Sequence, residues 1–319
     1  MSSIPLEHSV LLGRHIRTDG IDTLGTSTLT LFDEAVRTGR PDDAERLLTY
    51  FWDETLRIGE ALFQWISDII AYRLEQDCSV EDRRFGDTVL RGIRVFEPST
   101  GDRRRAIVAA HEGRPDDAIA AAELGRVRYA ALHDAYVAWI QQLLADIADD
   151  FGEAAVCEVV VRAHRNLWQR RYAPWRNMTP IERLQLSVEG MRGHLSGLRR
   201  RGDVGVRDDG DRFAMVLDPC GSCGVLRRGD PDSDRPPADP AGNATPHAWS
   251  WMRTGKSWYS LHSPIVMEWL DMRDGRPPFR PLEHCDEQGP CTWYIYKDPL
   301  TTRPEHYERM GFEGPAPHS

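Results

Sequence analysis

The hexapeptide Gly-Arg-Pro-Asp-Asp-Ala occurs twice in this chain, at residues 39–44 and again at residues 113–118. The register between the copies then persists without a gap: Trp65-Ile66 matches Trp139-Ile140, Ala61 matches Ala135 and Ala71 matches Ala145. Between 35–72 and 109–146, eleven of thirty-eight positions are identical. A match of that length around an identical hexapeptide reads as an internal duplication, which restricts the first half of the chain to what two copies of one unit can build.

The hexapeptide specifies a turn between two helices. Its glycine ends a helix in the left-handed conformation that costs other residues more. The proline two residues on suits the first turn of the next helix, where its missing N–H is not needed. The aspartate pairs Asp42-Asp43 and Asp116-Asp117 then lie where the helix dipole favours negative charge. In the long helix that follows, Ile58, Leu62, Trp65 and Ile69 form one apolar face, repeated by Leu132, Tyr136, Trp139 and Leu143. Two such hairpins can bury their stripes against each other as a four-helix bundle. Two further helices are expected, one over 152–172. The other opens at Thr179-Pro180-Ile181-Glu182, a capping box, and is expected to run to about Arg200, so that the basic run Arg199-Arg200-Arg201 closes it. Residues 75–103 have room for one short helix between the repeats.

After Arg201 the composition turns to glycine, proline, cysteine and tryptophan. Phe213, Met215 and Leu217 alternate over a strand-length run, and Thr292-Trp293-Tyr294-Ile295-Tyr296 is the strongest strand signal in the chain. Ser263-Pro264 reads as the cap and first turn of a helix through Val266, Met267 and Leu270. A proline- and aspartate-rich stretch at 227–248 reads as a long irregular loop. The expected fold is therefore mainly α, with two domains. Residues 1–200 form a helical bundle from the duplicated hairpin, and residues 205–319 form a small Cys/Trp-rich α+β domain on an antiparallel sheet.

The net charge of −10 and the absence of a basic face argue against nucleic-acid binding. No apolar run approaches the length needed to span a bilayer. Met1 to Ser9 lack the pattern of a secretory signal, so a cytoplasmic location is expected, where thiols stay reduced. Four of the six cysteines cluster in the last hundred residues: Cys220 and Cys223 in Asp218-Pro219-Cys220-Gly221-Ser222-Cys223-Gly224, and Cys285 and Cys291 after His284. Two thiols at CxxC spacing can hold one metal ion from a tight turn, so the four are candidate ligands of a zinc ion. An iron–sulfur cluster would use the same ligands, but the spacing matches no common cluster signature. A redox dithiol is disfavoured, because Val225 to Gly229 is too short and glycine-bound to supply the expected helix.

His262 is the leading candidate for chemistry, with Asp218 or Glu268 as a base or orienting group. The aromatic segment Trp249, Trp251, Trp258 and Tyr259 is the candidate substrate pocket. Cys78 and Cys157 read as ordinary half-buried cysteines, and His164 and the pair His133-Asp134 as surface or packing residues. Together these features lead to a zinc-dependent enzyme of hydrolase or lyase type, acting on a small molecule at the junction of the two domains. The alternative is a non-enzymatic ligand- or partner-binding protein with a structural four-cysteine zinc site, its tryptophan-bearing stripe forming a homodimer interface.

Overall fold

The computed structural model describes residues 5–76, 100–230, 236–238, 240–283 and 289–314. A hairpin of β1 (Leu6–Ser9) and β2 (Arg14–Arg17) leads into α1 (Ile21–Leu24), α2 (Thr28–Arg37) and the long α3 (Pro41–Glu75). Residues 100–111 are helical (α4) and are followed by α5 (Pro115–Phe151) and α6 (Glu153–Ala163). A π turn at His164–Trp168 carries the chain into α7 (Gln169–Trp175), and α8 (Pro180–Gly193) follows. The N-terminal region is thus mostly helical, and the smaller C-terminal region is built on a four-stranded sheet.

The two hexapeptides make the same turn. Gly39 and Gly113 are left-handed, with φ of 67° and 70°. Arg40 N–H donates to the Ala35 carbonyl and Arg114 N–H to the Ala109 carbonyl, both at 2.9 Å, while Gly39 and Gly113 reach Val36 and Ala110. This is a Schellman closure in both copies, and each proline then opens a long helix. The stripes of α3 and α5 meet: Ile58, Leu62, Trp65, Ile69, Leu132, Tyr136, Trp139 and Leu143 all belong to the largest apolar core. Burial inside the chain leaves that face unavailable to a second protomer.

The helix from the Thr179 capping box forms as expected but ends at Gly193, not near Arg200. Leu195 and Arg200 are left-handed, and Gly197 and Gly202 have φ of 91° and 96°, so residues 194–202 coil into tight turns. Arg200 closes no helix. It is 1% exposed and bound to carboxylates. Helix α8 is buried on nearly every face, between α3 on one side and the sheet on the other. A Cβ at Gly193 would meet the Glu54 carbonyl at 2.6 Å, so the α3–α8 approach requires glycine there. Two buried charges of α8 are paired: Arg192 with Glu54 at 2.7 Å, and Glu189 with Arg14 at 2.6 Å and the Tyr50 hydroxyl at 2.5 Å.

The sheet comprises β3 (Gly205–Asp208), β4 (Arg212–Leu217), β5 (Leu282–Glu283) and β6 (Cys291–Tyr296), in the antiparallel order β3-β4-β6-β5. Phe213, Met215, Leu217, Trp293 and Ile295 face α8 and share a core with Leu184, Val188 and Met191. Pairing of Leu217 with Cys291 sets the turn after β4 beside the start of β6. That turn leads directly into α9 (Cys223–Arg228), where sequence reasoning saw no convincing helix. A last helical segment joins α10 (His262–Pro264), a second π turn at Ile265–Trp269 and α11 (Leu270–Arg273), with α12 (Pro304–Glu308) near the end. It begins at His262, one residue before the expected Ser263 cap.

Candidate functional site

The turn between β4 and α9 is pressed against the loop that ends α8. A Cβ at Gly221 would lie 1.7 Å from the His194 carbonyl oxygen, so only glycine permits this approach. Gly197 N–H donates to the Pro219 carbonyl at 3.0 Å and fixes the turn from the other side. Cys220 and Cys223 are thereby set in the wall of a pocket with Trp251, Tyr259, His262 and Trp293.

Cys220 is buried and Cys223 half-buried. The Cys220 thiol is pushed down to about 6, first by the hydrogen bond from Cys223 and then by the backbone N–H groups of Ser222, Gly224 and Cys223, which outweigh burial. The Cys223 thiol moves the opposite way, well above the usual range, because it donates to Cys220 and is itself desolvated. The turn therefore favours the charge on Cys220 and the proton on Cys223. The arrangement, a thiolate facing the first amides of a helix, is one that lowers cysteine pKa generally.

Ser222, between the two cysteines, begins a buried polar chain. Its hydroxyl lies 2.8 Å from His194 Nδ1 and 3.3 Å from His133 Nε2, and those two nitrogens are 2.9 Å apart. His133 Nδ1 is 3.1 Å from Asp134 Oδ1, and Arg200 binds both Asp134 oxygens at 2.6 and 2.8 Å. Burial works against the Asp134 charge, but hydrogen bonds from His133 and Arg200 hold its carboxyl well below the usual range. His133 Nδ1 therefore carries the proton, and its Nε2 faces His194 and Ser222. Arg200 also binds Asp230 at 3.0 Å and the Gly221 carbonyl at 3.1 Å, which ties the chain back to the cysteine turn.

His262 lines the same pocket. Burial, with a smaller contribution from Arg280, pushes it down to about 4. Its Nδ1 lies 2.6 Å from the Tyr259 carbonyl, which can only accept, so Nδ1 holds the proton and Nε2 is the acceptor of a neutral imidazole. Comparison with protein-family models, curated proteins and solved structures finds no match to this chain.

The remaining expected residues are placed as follows. Trp251 and Tyr259 line the pocket, whereas Trp249 and Trp258 are packed in the apolar core. Asp218 is exposed and paired with Arg228 at 2.7 Å, outside this pocket. Glu268 is fully buried, bonded to Arg309, to Trp251 Nε1 at 3.1 Å and to Leu282 N–H at 3.0 Å, so its carboxylate anchors the pocket wall. Cys291 lines the pocket, accepts from Trp293 Nε1 at 3.2 Å and is disulfide-bonded, so it offers no thiolate there. Cys285 and His284 lie outside the described residues. Among the described residues, no three His, Cys, Asp or Glu side chains converge as a metal-binding group.

Two participants escaped the sequence. Ser222 was legible only as a small residue in a turn, and His194 follows a helix without any motif. His133 left a signal: the second repeat has His133-Asp134 where the first has Gly59-Glu60. His133 is fully buried and bonded on both ring nitrogens, which fits the packing alternative and not the surface one. His164 is half-buried against Tyr172 and is pushed down to about 4, mainly by burial, so it too differs from a simple surface residue.

Proposed function

We propose that this protein is a thiol-dependent enzyme acting on a small molecule, with Cys220 as nucleophile and hydrolysis of an acyl bond as the reaction. The observation that supports it is the Cys220 sulfur, bound by the Cys223 thiol and three backbone N–H groups in the wall of an aromatic pocket. Thiolates so activated attack electrophilic carbon at neutral pH. The Cys220 sulfur would form a C–S bond to the acyl carbon, and the bond to the leaving group would break. The leaving group would take a proton from the imidazole-bonded Ser222 hydroxyl, which the His194–His133–Asp134 chain would replenish. Water would then attack the thioester, giving its proton back to the same chain. The acid is released and the Cys220 thiolate restored, with no redox change.

In this reading the hairpins are copies of one duplicated unit, of which only the second was recruited to the site, through His133 and Asp134. The test is to mix the protein with p-nitrophenyl acetate, quench, and map acetyl adducts by mass spectrometry. A burst of nitrophenol with acetyl on Cys220, abolished in Cys220→Ser, is the expected result. Acetylation confined to surface lysines would refute the assignment.

A second reading, a zinc-dependent hydrolase or lyase, starts from the CxxC pair Cys220 and Cys223 in a pocket wall that His262 also lines, and needs the three to draw together, since no such group converges among the described residues. Two thiolates and an imidazole are a donor set that zinc accepts. Elemental analysis of the purified protein separates the readings, since about one zinc per chain, lost in Cys223→Ala, belongs to the second alone.

A further inference from the structure

A second cavity adjoins the Cys220 pocket, and Met191, His194, Tyr259, His262 and Trp293 belong to the walls of both. We propose that this adjoining cavity is the recognition compartment of the enzyme. It takes a planar aromatic group bearing a hydrogen-bond acceptor. Its link to catalysis rests on Cys220 being the nucleophile; binding in it does not.

Flat rings dominate its walls. Trp65, Trp168, Tyr172 and Trp175 line it, with Trp65 and Trp168 edge-on at 5.2 Å and Tyr172 and Trp175 edge-on at 5.0 Å. Aromatic walls alone would also suit an ordinary core, but three further features do not. Both π turns border the cavity, through Trp168 at the end of one and Met267 in the middle of the other. Such turns are an uncommon departure from helical geometry and recur at functional sites.

Gly190, in α8, is the second feature. It is half-buried and lines the cavity, and a Cβ built there meets no heavy atom within 4 Å among the described residues. Glycine inside a helix is less favourable than alanine, and here no close backbone approach requires it, unlike Gly193 one turn later. A side chain at 190 would take up part of this space; glycine leaves it open. Third, Trp65 is 1% exposed and its Nε1 has no hydrogen-bond partner among the described residues. A buried donor left unmatched is costly, and a carbonyl or ether oxygen on a ligand would satisfy it.

The experiment measures calorimetric binding of coumarin, a planar ring with a carbonyl acceptor, and of indene, its apolar counterpart. Both should bind the wild-type protein saturably. Gly190→Leu, checked for folding by circular dichroism, should weaken both by roughly tenfold or more, because the new side chain takes up the space. Trp65→Phe should weaken coumarin by roughly three- to tenfold, the span of one neutral hydrogen bond, and leave indene unchanged. Bound coumarin should also slow iodoacetamide modification of Cys220. No saturable binding, or unchanged affinity in Gly190→Leu, overturns the compartment. Binding that leaves the Cys220 reaction rate unaltered overturns its link to the reactive pocket. If binding and both variants behave as expected while Cys220 resists modification in every state, the compartment stands and the nucleophile assignment falls.

Discussion

At the residue scale, the site depends on imidazoles kept neutral by their surroundings. His262 in the site and His164 outside it are both held at about 4, mainly by burial, against the ordinary value of about 6.5. The folded state therefore binds fewer protons than the unfolded chain as the pH falls below 6.5, and stability is lost until the folded groups themselves titrate near 4. His262 alone contributes on the order of 3 kcal/mol over that window. Urea melts at pH 7 and pH 4.5 should show this loss, and His164→Gln should make it shallower. A stability independent of pH over this range would mean that the histidines are not held neutral. His262 was legible in the sequence from its aromatic neighbours. His194 was not, because its role arises from Gly221 pressing on its carbonyl, a contact between distant segments. The carboxylates Asp218 and Glu268 drew attention by proximity in sequence, but one points to solvent and the other braces Trp251.

At the scale of elements, local chemistry specified the turns well. Gly39 and Gly113 have open space around a built Cβ, so replacing either with alanine strains only the left-handed backbone. Gly39→Ala and Gly113→Ala should each lower stability by about 1 kcal/mol, and by similar amounts, since the two turns share one geometry. Denaturant midpoints check this; an effect at one glycine alone would contradict the equivalence of the turns. The capping box at Thr179 and the strands around Met215 and Tyr294 were equally legible, because periodicity and caps are local signals. The end of α8 was not. Leu195 continues the apolar period, but the chain turns at Gly193 so that the next residues can meet the cysteine turn. Helix α9 was missed for a similar reason: six residues are too few to show a period, and the helix is fixed by packing rather than by propensity.

For the whole molecule, α8 is the member on which the two regions are assembled. It presents Val188 and Met191 to the sheet and Arg192 to Glu54 of α3, with both charged side chains about 1% exposed. Arg192 also donates to the Leu24 carbonyl at 2.7 Å, and Arg17 lies beside the pair with its own partner Asp19 at 2.8 Å. Removing one member of a buried ion pair leaves the other uncompensated, so Arg192→Met should cost about 3–5 kcal/mol. Restoring balance with Glu54→Gln in the same chain should recover part of that loss. Thermal unfolding of the single and double variants reads the coupling, and simple additivity would show that the pair is not one unit. The sequence could not reveal this, since each charge looks solvated until three elements close around it. Within that frame the account turns on Cys220 being a thiolate in an accessible pocket. The direct measurement is the pH dependence of iodoacetamide modification, resolved by peptide mass spectrometry. The expected result is a Cys220 rate that rises through about pH 6 and then levels off, with Cys223 modified slowly throughout. A Cys220 rate still rising near pH 9, or preferential modification of Cys223, would contradict it.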